Sequence, residues 1–256
     1  MITNKIGLKS GIGLVIANMI GSGVLISAGF MSQNMSASAI LSAWIIGLIL
    51  ASCGAKSYAT IATTITRSGG EYRYLSDLFH PFLGNMAGWG SLILGFSAPI
   101  AINALAVGWF LPTLGIDISP LITGTVLILA LSLIHGVQFQ LSKLIQNFLI
   151  FLKILVVLAL ILIGLTKGNN QWPSWNSTHT ASTDLWINIF KNQYWIVYAF
   201  SGWNAAIYVA NEFQNPKKQV PAAMIIGCIT VGIVYLIINL IFITNLSPAS
   251  SKIVFQ

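Results

Sequence analysis

Two short polar interruptions inside long apolar runs are the parts of this 256-residue chain best able to do chemistry. The first is Gly21-Ser22-Gly23-Val24, and the second is Tyr198-Ala199-Phe200-Ser201-Gly202-Trp203-Asn204. Two glycines around a serine cost about 2 kcal/mol of helix propensity relative to alanine, so an unwound turn is predicted there. Close packing of two helices through small residues is the other reading. An unwound turn leaves free amide hydrogens at the start of one half-helix and free carbonyl oxygens at the end of another, both able to bind charge. That chemistry is capture of a small dipolar solute, and no enzymatic bond-making is expected.

The other reactive side chains are sparse. Cys53 and Cys228 sit singly inside apolar runs, which excludes a disulfide framework or a CxxC site. His135 and His179 lack a second ligand at metal spacing, so no metal and no cofactor is predicted. Lys153 falls nine residues into an apolar run, ~13 Å deep at 1.5 Å per residue, where an ionisable group is a candidate for coupling. Snorkelling of its stem to the interface is the alternative.

Such residues need a scaffold, and composition says what kind. The chain is 56% hydrophobic and only 7% charged, against about 25% charged in soluble domains. A water-soluble enzyme is excluded, and the partner solvent is the lipid bilayer. The net charge of +7 is spread between the apolar runs rather than clustered, so no nucleic-acid partner is predicted.

Seven runs reach the ~20-residue length of a span: Gly11 to Met31, Ser38 to Ile61, Leu83 to Leu111, Leu121 to Gly136, Leu144 to Leu165, Trp186 to Ala210 and Pro221 to Asn245. Backbone polar groups in lipid must be satisfied within a segment, so each is read as a helix in an all-α polytopic membrane protein. With the N-terminus in the cytoplasm, Lys5, Lys9, Lys56, Arg67, Arg73, Lys143, Lys217 and Lys218 lie inside, while Lys167, Lys191 and Lys252 lie outside. The positive-inside rule favours that orientation, in an inner (plasma) membrane. The loop Lys167 to Leu185 holds Trp172, Pro173 and Trp175, which suit an interfacial belt, and a sequon at Asn176-Ser177-Thr178. Ala62 to Leu83 carries Arg67, Glu71, Arg73, Asp77 and His80 and is predicted to be an amphipathic interfacial connection. Glu212 with Asn215-Pro216-Lys217-Lys218 reads as a helix stop followed by topology-setting lysines.

The interruptions fall in the first and sixth spans, the spacing that two five-helix repeats require, and matched Gly/Ser breaks point to a transporter site. The first span runs outward, so its second half, starting near Val24, presents amides to a carboxylate. The sixth runs inward, so its first half ends near Phe200 with carbonyls for an ammonium. Tyr198 is either a packing aromatic or a lid over the solute, and Asn204 is a candidate hydrogen-bond partner. Ser97 and Asn103 are weaker candidates, equally explained by helix-helix hydrogen bonding.

At these residues the chain resembles the amino acid, polyamine and organocation (APC) superfamily of permeases. The likeness rests on Ile20-Gly21-Ser22-Gly23-Val24, on Ser68-Gly69-Gly70-Glu71-Tyr72-Arg73-Tyr74, and on Phe200-Ser201-Gly202-Trp203-Asn204 followed by Asn215-Pro216. It implies a leucine-transporter-type inverted-repeat fold within a single membrane domain, residues 1–256. Residues 1–166 would form the first repeat and 186–246 the first two helices of the second. By the same likeness, Gly21, Ser22 and Gly23 would hold the carboxylate of an amino acid substrate. The backbone around Phe200, Ser201 and Gly202 would hold its amino group. Tyr198 would be the aromatic gate, and Lys153 would stand where sodium binds in related transporters, making transport sodium-independent and proton-coupled or exchanging.

Relatives of this type are similar to a ten-helix core, and only seven spans are present here. The chain is therefore read as a fragment, a frameshifted product or half of a split gene, inactive alone and partnered by a missing C-terminal half. A seven-helix receptor or sensor is the competing class, but it requires an external N-terminus and gives no reason for matched breaks. A non-functional permease remnant is the third.

Overall fold

The computed structural model describes residues 5–32, 35–137, 139–168, 170–173 and 182–245. Trp175, the sequon at Asn176 to Thr178, His179 and the tail with Lys252 lie outside them. The described elements are almost wholly helical, in the order α1 (Leu8–Met19), α2 (Gly23–Ser32), α3 (Ala37–Ala62), α4 (Gly70–Leu78), α5 (Pro81–Gly90), α6 (Ala98–Phe110), α7 (Pro120–Val137), α8 (Phe139–Lys167), α9 (Ser182–Phe200), α10 (Ala205–Tyr208) and α11 (Pro216–Asn245). A π-helical stretch, Ser91–Ser97, joins α5 to α6.

Five helical stretches are long and apolar enough to cross a membrane, and α1 with α2, bent by 47°, makes a sixth. The seventh predicted run is α9 with α10. It does not qualify, because α9 carries Asn188, Lys191, Asn192 and Gln193 and stops at Phe200. The protein is thus an all-α polytopic membrane protein, with five spans among the described residues, or six with the bent pair counted as one, meeting the length and hydropathy requirement.

The chain divides into two compact units, Met1–Gly70 with Leu155–Gln256, and Glu71–Ile154. In the first, α3 lines up Ala43, Gly47, Ala51, Ala55 and Ala59 every fourth residue, all buried. A stripe of small side chains lets neighbouring backbones come close where the surrounding solvent gives no hydrophobic drive. Beside it, Trp44 of α3, Phe200 of α9 and Tyr235 of α11 meet as a ring trio with centroids 5.3 to 5.9 Å apart. Tilted and edge-on contacts of this kind suit the ring quadrupole.

In the second unit, α6 and α7 form a close hairpin: Gly108 lies against Pro120 and Gly124 against the Ala104 backbone. Across α7 and the stretch Pro81–Leu114 only 6% of the most apolar window is buried, against 39% in α3 and 44% in α11. The leucines and isoleucines left outside are those a lipid environment would cover.

Two expectations change in detail. The connection 62–83 does contain a short amphipathic helix, α4, with Arg73 and Asp77 paired at 3.0 Å one turn apart. It ends at Leu78, and two residues on, His80 Nδ1 accepts the Phe82 amide at 3.2 Å and caps α5. Asn215-Pro216, read as a helix stop, is instead a start: Pro216 is the first residue of α11, where its missing amide costs nothing. Lys217 and Lys218 belong to that first turn.

Candidate functional site

Both predicted interruptions are real breaks. The first falls at Ile20 to Ser22: α1 ends at Met19, Ile20 turns to φ −68°, ψ 107°, and α2 begins at Gly23. The second occupies residues 201–204, between α9 and α10, with Gly202 at φ +103°. That left-handed value is one glycine adopts freely and other residues resist.

The breaks pack on each other's helix ends. A Cβ on Gly23 would stand 3.0 Å from the Ala199 Cα and 3.3 Å from the Tyr198 ring. A Cβ on Gly202 would stand 3.0 Å from the Asn18 backbone, at the end of α1. The Tyr235 hydroxyl lies between them. It donates to the Met19 carbonyl at 2.6 Å and lies 3.1 Å from the Ala199 carbonyl. One buried atom of α11 therefore touches the last carbonyl of α1, beside the first break, and the penultimate carbonyl of α9, beside the second.

Around this point the backbone offers both signs of partial charge. The Gly23 and Val24 amides donate no hydrogen bond among the described residues, as expected of the first residues of a helix. At the end of α9 the Tyr198 carbonyl accepts both the amide of Ser201, at 3.1 Å, and its Oγ, at 2.7 Å. The Val197 and Phe200 carbonyls accept none among the described residues. Amides at one break and carbonyls at the other form a pair suited to a carboxylate and an ammonium.

The predicted residues divide accordingly. Gly21, Ser22 and Gly23 lie in or beside the first break, and Tyr198 is half-buried against Gly23. The Phe200 side chain is in the ring trio with only 2% exposure, which leaves its carbonyl as the part able to meet a solute. Ser201 spends its hydroxyl on Tyr198. Asn204 turns its Nδ2 to the Tyr208 hydroxyl at 3.3 Å, along α10. Lys153 is half-buried at the middle of α8, within the second unit. Ser97 and Asn103 bond their own helix, to the Leu92 and Pro99 carbonyls at 2.8 Å each. Among the described residues no group of three His, Cys, Asp or Glu could hold a metal ion.

Tyr235 is the residue that sequence reasoning missed. Its one signal is a phenol inside a 30-residue apolar helix, since a buried tyrosine hydroxyl needs a partner.

An α-helical membrane protein with two interrupted helices meeting at a shared hydroxyl is the class that fold and site define. Residues 6–254 match the family model described as "Amino acid permease", and the chain belongs to that family. The APC resemblance read from the motifs is thereby confirmed. The chain is 29% identical over 260 residues to b(0,+)-type amino acid transporter 1 of Mus musculus, covering 95% of this chain and 52% of that protein. It is 29% identical to the cystine/glutamate transporter of Homo sapiens, over 95% of this chain and 50% of that one. The serine/threonine exchanger SteT of Bacillus subtilis (strain 168) is also 29% identical, over 95% and 55%. The chain spans about half the length of the curated relatives it matches.

Proposed function

We propose that this chain contributes the substrate-binding breaks of an amino acid permease that works by alternating access. The observation carrying the reading is the meeting of the two breaks beside Tyr235, with amides at Gly23 and Val24 and carbonyls at Val197 and Phe200 that have no partner outside their helices among the described residues. The substrate carboxylate would sit on the α2 amides and its ammonium on the α9 carbonyls, with Tyr198 as the aromatic gate. Binding would shift the balance of open states through differential contacts with the two breaks.

Lys153 is proposed to couple transport to protons or to a counter-substrate without sodium, on the strength of its mid-helix position. The lysine distribution supports a cytoplasmic N-terminus in the inner (plasma) membrane. Because the relatives are about twice as long, transport is proposed for this chain together with the remaining helices of the pathway, and the chain alone is proposed to be inactive.

Binding and uptake of radiolabelled amino acids by the 256-residue chain in proteoliposomes separate these statements. Binding without uptake is expected, and Gly23→Leu, which drives a side chain into Ala199, should weaken binding on the order of a hundredfold, or ~2.8 kcal/mol. Binding that ignores Gly23→Leu removes the assignment of the site. Uptake by the chain alone removes the claim that it needs further helices.

A further inference from the structure

Three segments distant in sequence meet at one end of the first unit. The chain entering α1 pairs with the chain leaving α10: the Ile6 amide donates to the Glu212 carbonyl at 2.7 Å, and the Gln214 amide donates to the Ile6 carbonyl at 3.1 Å. Ile6 and Phe213 thereby form a parallel bridge. The connection after α3 joins the same place. The Asn211 amide donates to Ser68 Oγ at 2.9 Å, and the Ser68 amide donates to Asn211 Oδ1 at 3.4 Å. Each side chain thus satisfies the other residue's backbone, so losing either one leaves a main-chain donor unpaired.

Two residues further on, Gly70 is buried with φ +59° and rests on the ring of Tyr208, where any Cβ would collide. Only glycine supplies both the left-handed backbone and the room. The Tyr208 hydroxyl accepts Asn204 Nδ2 at 3.3 Å, and Asn204 is the last residue of the second break. A contact path therefore runs from the Ser68-Gly69-Gly70 turn through Tyr208 to the break.

We propose that Tyr208 is a positioning residue that links this clasp to the second break: seating of its ring on Gly70 holds Asn204, and parting of the clasp loosens residues 201–204. This gives the Ser68-Gly69-Gly70 motif and Asn204 a task in regulating the site, and its meaning for transport rests on the permease reading. The coupling itself needs no substrate.

Hydrogen exchange read by mass spectrometry on the full chain in lipid nanodiscs tests it. Ser68→Ala should speed exchange in residues 63–70 and 205–214, and also at 201–204, by roughly tenfold. Tyr208→Phe keeps the ring on Gly70, so it should speed exchange at 201–204 by roughly fivefold while leaving 63–70 within about twofold. In the Tyr208→Phe background, Ser68→Ala should add nothing further at 201–204, while Ser68→Thr in the otherwise unchanged chain, which keeps a hydroxyl, should leave the parent pattern in place. The proposal is overturned if Tyr208→Phe leaves 201–204 at the parent rate. It is equally overturned if the Ser68→Ala effect never reaches 201–204, or passes there undiminished without the Tyr208 hydroxyl. A chain that binds no amino acid in the radioligand assay would sink the permease reading and leave this exchange result standing.

Discussion

At the first break the chain turns through 47° with Ile20 in an extended conformation and no residue between Met19 and Val24 in the left-handed region. The turn leans on a side chain more than 200 positions later, the Tyr235 hydroxyl at the Met19 carbonyl. At the second break the chain folds on itself. Gly202 reverses direction at φ +103°, and Ser201, Ala205 and Ile207 donate amides to the Tyr198, Gly202 and Asn204 carbonyls at 3.0 to 3.1 Å. A break held by a distant partner changes with that partner, whereas one stitched by its own backbone keeps those bonds when a neighbouring side chain withdraws. The difference makes the first break the more adjustable member of the pair and the second the stiffer one.

The largest effect should come from attacking the self-held break. Gly202→Val places a β-branched residue at a left-handed φ and against the Asn18 backbone, and should cost about 3 kcal/mol. Thermal unfolding in detergent reads this as a fall in Tm, and an unchanged Tm would mean that the second break is not braced at Gly202. Tyr235→Phe comes next, at about 2 kcal/mol, because it strips the donor from the buried Met19 and Ala199 carbonyls. Its signature should be local: faster hydrogen exchange at residues 20–25 and little change at 203–207. Equal loosening of both segments would erase the contrast between the breaks. Ser201→Ala is the mildest, about 0.5 kcal/mol, since the Ser201 amide still reaches the Tyr198 carbonyl after the hydroxyl is gone. Denaturant titration resolves it, and a loss as large as that of Tyr235→Phe would show the side chain, not the backbone, to be the stitch.

The spans and both breaks were legible in the sequence because each is a local property. Apolar runs of span length announce helices in lipid, and Gly-Ser-Gly or Ser-Gly-Trp-Asn lowers helix propensity where it stands. α9 shows the limit of that logic, since its polar residues lower the average over the run even where one of them is satisfied inside the protein. Gln193, for example, is buried and donates to the Ala43 carbonyl at 3.0 Å. Tyr235 and the Asn204 to Tyr208 bond were not legible, because a partner chosen by packing leaves no mark on neighbouring residues. Asn215-Pro216 was ambiguous for another reason: proline ends one helix and opens the next with equal ease, and only the turn at residues 212–214 decides which.

The Tyr235 hydroxyl carries one proton and faces two acceptors, and a single hydrogen cannot serve both at full strength. Whichever oxygen it deserts loses that donor. The two helix ends, one beside each break, thus compete for one donor, and a small rotation of that hydrogen favours one end at the other's expense without moving the rings.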